Sequence, residues 1–460
     1  MNKVEKLYKW IMLIGCCLFT SVVGHAQNEE ANDTIRISLE KAINIACSEN
    51  PTVIIAGQEI ELKKQARREI IGALIPEVSL NGNYSRAIKK QTMAMKFGEE
   101  TTTIKVGMDN TYNGGLNINF PIFAPSLYRS MNMTKDDVTL AIEKSRASKL
   151  DMINEVTKAY LQILLTQDSY KVLLKSYNQA KANYEVVLAK YNQGLVSEYD
   201  KIRAEVQMRN LKPSVVSAEN AIRLAKMQLK VLMGFANNLV LEVDGSLNEY
   251  ESLLVLDGAS SLYSPLNVDL SRNTDLKQID INEKMLKQNI KLQKSNYMPT
   301  LSASFNYSYL SMNDDFRIAH YKWYPSSSLG VTLSIPLFKA STMAKVKQSK
   351  IQLAQLNQSR INAERQISMQ ANSYLDNMEA SAEQIDSNIE SVKQALKGRE
   401  IARKMYEVGR GTILELNDSE VALTQAELAY TQSIYDYVIS RAEYNRVLGI
   451  DEFDKLSQDK

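Results

Sequence analysis

The chain repeats itself once, and the repeat decides what it can fold into. "LIPEVSLNGNYS" (74–85) matches "YMPTLSASFNYS" (297–308), aligning Pro76 with Pro299 at an offset of 223 residues. "LNINFPIFAPS" (116–126) matches "VTLSIPLFKAS" (331–341), aligning Pro121 with Pro336 at an offset of 215. That offset then holds through "YNQG" and "YEVG", where Gly194 meets Gly409, to "VLMG" and "RVLG", where Gly234 meets Gly449. The difference of eight residues falls in "QTMAMKFGEETTTIKVG" (91–107), which reads as a loop. Each half is a helix, a strand, a connection, a second strand, a long helix, a turn and a returning helix. A unit this large recurring once is a duplication, not an array of short repeats.

Four segments alternate with period two, the mark of half-buried strands. In 78–85, Val78, Leu80 and Tyr84 oppose Ser79, Asn81, Asn83 and Ser85. In 112–120, Tyr112, Leu116, Ile118 and Phe120 oppose Asn113, Asn117 and Asn119. In 301–309, Leu301, Phe305, Tyr307 and Tyr309 oppose Ser302, Ser304, Asn306 and Ser308, and in 329–335, Leu329, Val331, Leu333 and Ile335 oppose Gly330, Thr332 and Ser334. Two hairpins packed by one face on a soluble core would also alternate. The runs, however, approach the roughly 9–11 residues of a tilted membrane strand. Their polar faces hold Ser, Thr and Asn without Lys, Asp or Glu, as suits a wet lumen, and aromatics end their apolar faces, as suits interfacial girdles. Arg86 has apolar parity, at a strand end within reach of water. Four strands cannot close, and an open edge cannot exist in lipid. The chain must therefore share a barrel, and strand counting alone allows a dimer, trimer or tetramer.

The helical pattern is far too long for a bilayer. From 130 to 192 apolar and aromatic residues, among them Leu150, Val156, Tyr160, Leu164, Tyr177 and Val187, recur at three- and four-residue steps with no Pro or Gly between. The second half repeats this over 343–408, with Gly398 as its one internal glycine. About 60 residues span on the order of 90 Å. Returning helices follow over 197–233 and 412–448, the first expected to kink at Pro213. Gly194 and Gly409 supply the positive φ that ends a helix, and "SEYD" and "TILE" place Ser197 with Asp200 and Thr412 with Glu415 as capping boxes. Scarce Gly (18) and Pro (9) in 460 residues fit this mainly helical plan.

The N-terminus carries Lys3, Lys6 and Lys9, then "WIMLIGCCLFTSVV" and "GHAQN", a secretory signal with cleavage expected after Ala26. "LIGC" (13–16) also fits a lipobox, so lipidation of Cys16 stays open. Cleavage after Ala26 leaves Cys47 as the lone cysteine, without a disulfide framework. No later stretch has the length of a membrane-spanning helix. The net charge of +2, from 55 basic and 53 acidic residues in mixed order, gives no footprint for nucleic acid. His320, in a loop, is the one mature histidine, and no HExxH, CxxC, GxSxG or phosphate-cradling motif occurs. No enzyme, cofactor or metal site is expected.

Together the duplicated strand–strand–long-helix unit, the "FPIF" and "IPLF" strand ends, and the "YxxG" turns resemble the TolC-like outer-membrane efflux and secretion channels. "YEVGRGTILELND" is especially similar to that family's second helical tip, and the resemblance covers nearly the whole mature chain. It implies a mainly α fold with a small β part: a long α-helical coiled-coil barrel plus four strands contributed to a trimeric transmembrane β-barrel. It implies a homotrimer in the outer membrane of a Gram-negative bacterium, extending into the periplasm. A periplasmic adaptor and an inner-membrane transporter would be the partners, with the barrel against outer-membrane lipid. The adaptor would meet Gly194, Leu195, Val196 and Ser197 on one tip and Gly409, Arg410, Gly411, Thr412 and Ile413 on the other. Glu400 and Arg403 are gate candidates, against the plain reading of exposed helix charges. The expected function is a passive efflux duct for small molecules; a protein-secretion duct and, from the strands read as soluble, a periplasmic coiled-coil or adaptor protein are the alternatives. The expected organisation is a signal peptide (1–26), a first repeat (27–236), an irregular equatorial segment (237–267), a second repeat (268–449) and a tail (450–460).

Overall fold

The computed structural model describes residues 34–97, 100–235, 239–251, 268–317 and 321–451. The expected signal peptide, His320, most of the expected equatorial segment and most of the expected tail lie outside these residues.

The first repeat opens with β1 (Thr34–Ile37), α1 (Leu39–Glu49) and α2 (Pro51–Gly72). It continues through β2 (Glu77–Arg86), β3 (Gln91–Phe97), β4 (Glu100–Val106) and β5 (Asn110–Phe123). The long α3 (Pro125–Asn192) and its return α4 (Glu198–Leu232) follow. A short β6 (Val240–Val243) and a 3-10 turn (Leu247–Tyr250) lie between the halves. The second repeat holds α5 (Thr274–Ser295), β7 (Thr300–Asn313), β8 (Tyr324–Ser334), α6 (Ala340–Glu407) and α7 (Ile413–Leu448). The duplication survives in the dimensions: α2 and α5 each have 22 residues, and α3 and α6 each have 68. At 1.5 Å per residue the two long helices each reach about 100 Å.

The structure differs from the expectations in two places. Within residues 91–107, expected as a loop, β3 and β4 pair antiparallel, with Gln91 opposite Val106 and Met93 opposite Ile104. Alternating Met, Thr, Ile and Val suit a strand, while the interspersed charges mask the period. The described part of the equatorial segment is regular as well: β6 pairs in parallel with β1, from Thr34 opposite Val240 to Ile37 opposite Val243. The returning helix runs on through Pro213, from Glu198 to Leu232.

The main core lies at this equator. Val156, Leu161, Ile163 and Leu164 of α3 pack with Ala42 and Ala46 of α1, Leu229 of α4, Leu241 of β6 and Ile434 of α7. Tyr160 is buried among them and donates its hydroxyl to the carbonyl oxygens of Asp244 (2.5 Å) and Ile37 (3.3 Å). That hydroxyl fastens the small β1–β6 sheet to the shaft. Burial, reinforced by nearby Tyr250 and Asp244, raises its pKa well above the usual phenol value.

Candidate functional site: the barrel sheet and the paired tips

The sheet order is β2-β5-β7-β8, antiparallel throughout. The two repeats join edge to edge where β5 meets β7, from Asn110 opposite Asn313 to Pro121 opposite Ser302. Register aligns the two faces across all four strands. One polar row runs Ser79, Asn117, Asn306, Ser328, and the neighbouring apolar row runs Leu80, Leu116, Tyr307. Ser308 and Ser326 hydrogen-bond across the polar face at 3.0 Å. On the apolar face Tyr307 and Tyr309 stack edge-on with ring centroids 5.5 Å apart.

Leu80 on one outer strand is 82 % exposed and Leu329 on the other is 77 % exposed, so the apolar face lacks a protein cover in the lone chain. Burying such a face offers roughly 25 cal/mol per Å². The free edges of β2 and β8 add two rows of unpaired backbone groups, which lipid cannot satisfy. Among the described residues no helix is long and apolar enough to cross a membrane, and no acidic, His or Cys cluster could hold a metal ion.

The outer end of the sheet is braced by its connections. The Lys90 ammonium bridges Asp314 (2.8 Å) and Asp109 (3.2 Å), and the Asp109 N–H donates to Asp314 at 2.8 Å. Tyr321, from the connection between β7 and β8, lies against Tyr112 with centroids 5.2 Å apart. Tyr112 in turn faces Tyr84 at 4.7 Å. Arg86 stacks over the Phe316 ring at 5.1 Å, which resolves how a cation ends an apolar row.

The opposite end of the shaft is made by two turns with the same glycine geometry. Gly194 has φ +73° and Gly409 has φ +75°, the left-handed conformation that a helix end uses. The Leu195 N–H donates to the Lys190 carbonyl (2.9 Å) and the Gly194 N–H to that of Tyr191 (2.8 Å). The Arg410 N–H donates to Met405 (2.9 Å) and the Gly409 N–H to Tyr406 (3.2 Å), the same pair of bonds 215 residues on. Both capping boxes form. The Asp200 N–H donates to Ser197 Oγ (3.1 Å) while Asp200 accepts from the Ser197 N–H (3.3 Å). The Glu415 N–H donates to Thr412 Oγ1 (3.2 Å) and Glu415 accepts from the Thr412 N–H (2.9 Å).

The tips also hold each other. Val187 and Ala204 of the first hairpin form one buried cluster with Ile413 and Leu416 of the second, flanked by Tyr184, Val196 and Tyr406. Ile413 is therefore a packing residue between hairpins, 3 % exposed, and Val196 and Gly411 are half-buried. Gly194, Leu195, Ser197, Gly409, Arg410 and Thr412 face outward. Sequence reading passed over Val408 and Tyr199, which are 70 % and 63 % exposed beside the turns. The available signal was an apolar residue beside the turn glycine for Val408, and an aromatic in the first turn of the returning helix for Tyr199.

Glu400 and Arg403 do not meet. Glu400 accepts from Lys404 and Arg403 donates to Glu407, both at 2.9 Å between exposed i,i+4 neighbours. The Lys404 ammonium, by hydrogen bond and charge, holds the Glu400 carboxyl below the usual range. The adjacent Arg399 instead crosses to α7, where its Nε donates to the buried Glu420 at 3.1 Å. Lys175 of α3 reaches Glu427 of α7 at 2.8 Å, and Thr424 donates to Ser176 at 2.9 Å. This polar layer joins the hairpins above the tips.

Known proteins place this geometry. The family described as "Outer membrane efflux protein" matches residues 42–235 and 266–449, one segment per repeat. The chain is 21 % identical over 422 residues to the outer membrane protein TolC of Vibrio cholerae, covering 90 % of each. It is 23 % identical over 368 residues to TolC of Escherichia coli K12, covering 76 % of this chain and 71 % of that one. The Campylobacter jejuni CmeC outer membrane channel superposes with a TM-score of 0.70 at 16 % identity, covering 92 % of this chain and 88 % of that chain. The open-state Neisseria gonorrhoeae MtrE outer membrane channel gives 0.68 at 16 % identity, covering 90 % and 89 %. With both repeats matched by one family and the whole fold shared with its channels, this chain belongs to the outer membrane efflux proteins, channels of the Gram-negative outer membrane that extend into the periplasm.

Proposed function

We propose that three copies of this chain assemble into the exit duct of a tripartite efflux pump, passing small molecules from the periplasm to the exterior. The observation that carries this reading is the four-stranded sheet with two free edges, one apolar face and one face of Ser, Thr and Asn. Three copies of four strands make a barrel of 12, with edge β2 of one copy pairing edge β8 of the next. Lipid then covers the apolar face and water fills the inside. The 68-residue helices continue the wall as a tunnel of about 100 Å.

The duct supplies a path and no chemistry. An inner-membrane transporter provides the energy, and a periplasmic adaptor grips the outward residues of the tips, Gly194, Leu195, Ser197, Gly409, Arg410 and Thr412, with Val408 and Tyr199 beside them. Leu195 and Val408 are exposed apolar groups at the turns themselves, 68 % and 70 % exposed, where a docking partner could cover them. Val196, Gly411 and Ile413 act behind that surface by holding its shape. Glu400 and Arg403 belong to the wall just above the tips, where their charges line the narrowing passage.

The test is membrane fractionation with gel mobility before and after heating, alongside efflux of a fluorescent substrate in cells lacking the chain. The expected result is an outer-membrane trimer that dissociates on heating, with efflux restored on complementation. Recovery in the soluble periplasm as a monomer sinks the barrel; a trimer that restores no efflux sinks the pump assignment.

A further inference from the structure

Between the start of α1, the middle of α3 and the end of α7 lies a cavity of about 430 Å³. Leu39 of α1, Leu150 and Ile153 of α3, Val438 and Ala442 of α7, and Ile450 give it an apolar lining. An apolar cavity of roughly 150 Å³ already takes up a benzene ring. Protein interiors hold few voids larger than a water molecule, so a space of this size and lining suits more than one apolar side chain. Asn154 points to the same kind of occupant. It also lines the cavity, is 5 % exposed, and its Oδ1 is buried without a hydrogen-bond partner among the described residues. A buried acceptor without a donor is costly. A fitting occupant is therefore apolar and brings at least one N–H or O–H.

From this geometry we propose that the cavity is the docking site of the chain's own C-terminal segment, residues 452–460, with Phe453 and Leu456 inserted and a backbone N–H donated to Asn154. These residues lie outside the described ones, but the chain sets out towards them from the cavity wall. The α7 helix ends at Leu448, Gly449 turns the chain at φ +70°, and Ile450 lines the space. Three extended residues span at most about 10 Å, enough for Phe453 to enter from Ile450. In "IDEFDKLSQDK" (450–460) the apolar residues are Ile450, Phe453 and Leu456. Steps of three put them on one side of a helical turn, and with Ile450 seated the other two follow it inward. The tether gives this segment a high effective concentration that a free ligand lacks. Once docked, it ties Leu39 at the start of α1 and Tyr250 of the 3-10 turn, which also lines the cavity, to the two wall helices. The lining comes from one chain, so the inference does not rest on the trimeric duct.

The experiment is cysteine cross-linking of the purified full chain in a Cys47→Ser background, followed by thermal unfolding. Ala442→Cys with Phe453→Cys should close a disulfide within one chain under mild oxidation, and Ala442→Cys with Asp459→Cys should not. Ending the chain after Asp451 should lower the thermal midpoint. Phe453→Ser should reproduce most of that loss, and Ser457→Ala should leave the midpoint unchanged. Asn154→Leu should raise the midpoint of the shortened chain more than that of the full one, because only the full chain gives Asn154 a donor. Disulfides that form only between copies, or in neither pair, overturn the proposal. An unchanged midpoint on shortening the chain overturns it as well, since another occupant then fills the cavity. An equal response to Asn154→Leu in both chains overturns the bond to Asn154.

Discussion

The Lys190 ammonium lies 4.8 Å from the centre of the Tyr406 ring, joining the end of one long helix to the end of the other. The two residues are 216 positions apart in the chain, and each stands just before its hairpin turn. A cation over an aromatic face at an exposed site contributes about 0.5–1 kcal/mol. The Tyr406 hydroxyl, in contrast, is buried without a hydrogen-bond partner among the described residues. Burial, with Asp200 nearby, raises its pKa. An unsatisfied buried hydroxyl costs roughly 1–3 kcal/mol. Tyr406→Phe keeps the ring and removes that cost, so the tips should close as tightly as in the wild type or tighter. Tyr406→Ala and Lys190→Gln remove the contact and should raise single-channel conductance. If Phe opens the tips as far as Ala does, the hydroxyl has a partner supplied by another copy.

The turn glycines are expected to tolerate no β-branched residue. Forcing a left-handed backbone on an L-residue costs about 1–2 kcal/mol, and Gly409 sits at φ +75° with open space around it. The penalty in Gly409→Val is therefore conformational, not steric. It should deform the tip proposed to meet the adaptor and raise drug susceptibility while trimers persist. Gly398 is the control: it lies inside α6, and nothing stands within 4 Å of an added Cβ. Gly398→Ala should stabilise the helix by about 0.5–1 kcal/mol without changing efflux. Equal loss of efflux in both variants would contradict the special role of the turn.

Much of this was legible before the fold was known, for local reasons. The 215-residue offset, the polar and apolar parity of the strands, the turn glycines and the capping boxes are all written within short windows. What stayed hidden depends on distant partners. Ile413 reads as a tip residue next to a cap, and only the packing of Val187 and Ala204 from the other hairpin buries it. The β1–β6 pair joins residues more than 200 apart, with Arg36 Nε donating to Glu242 at 3.1 Å, and no periodicity announces it. The same holds for Arg399, which lies beside the gate candidates Glu400 and Arg403 and crosses to Glu420. Helical spacing shows which residues share a face but not which face meets α7.

The Lys90 clasp gives the outer connections a defined pH range. Hydrogen bonds to Asp314 and then Asp109 raise the Lys90 pKa, and Lys90 followed by the Asp109 N–H lowers that of Asp314. The lowered carboxyl contributes above the ordinary aspartate range, and its contribution is lost as pH falls through the depressed folded value. The raised ammonium contributes below the ordinary lysine value and is lost as pH rises through the elevated one. The clasp should thus hold across the whole neutral range. Trp323, half-exposed in the same region, is the one tryptophan beyond Trp10. Its quenching by acrylamide should stay flat across neutral pH in the wild type and increase in Lys90→Gln. A flat, identical profile in both proteins would show that the clasp orders nothing.

Arg399 and Glu420 form the most enclosed ion pair near the tips, with side chains 18 % and 11 % exposed. Burial raises the Glu420 carboxyl above its usual value, against the opposing pull of Arg399, Arg403 and Lys175. The sign is opposite to that of Asp314: the folded state holds this proton more tightly than the unfolded chain. The Glu420 contribution is therefore most favourable at acid pH and declines as pH rises from the ordinary glutamate range through the raised folded value. Removing Arg399 leaves the carboxylate enclosed and unpaired, a defect of about 3–5 kcal/mol in buried pairs. Arg399→Ala should lower the thermal midpoint of the purified protein at pH 7 and recover part of the loss at acid pH, where Glu420 can take a proton. Glu420→Gln keeps a hydrogen-bond acceptor for Arg399 without the desolvated charge, so its midpoint should fall less than that of Arg399→Ala and lose this pH dependence. Equal midpoints for Arg399→Ala and wild type at pH 7 would mean that water reaches the pair and screens it.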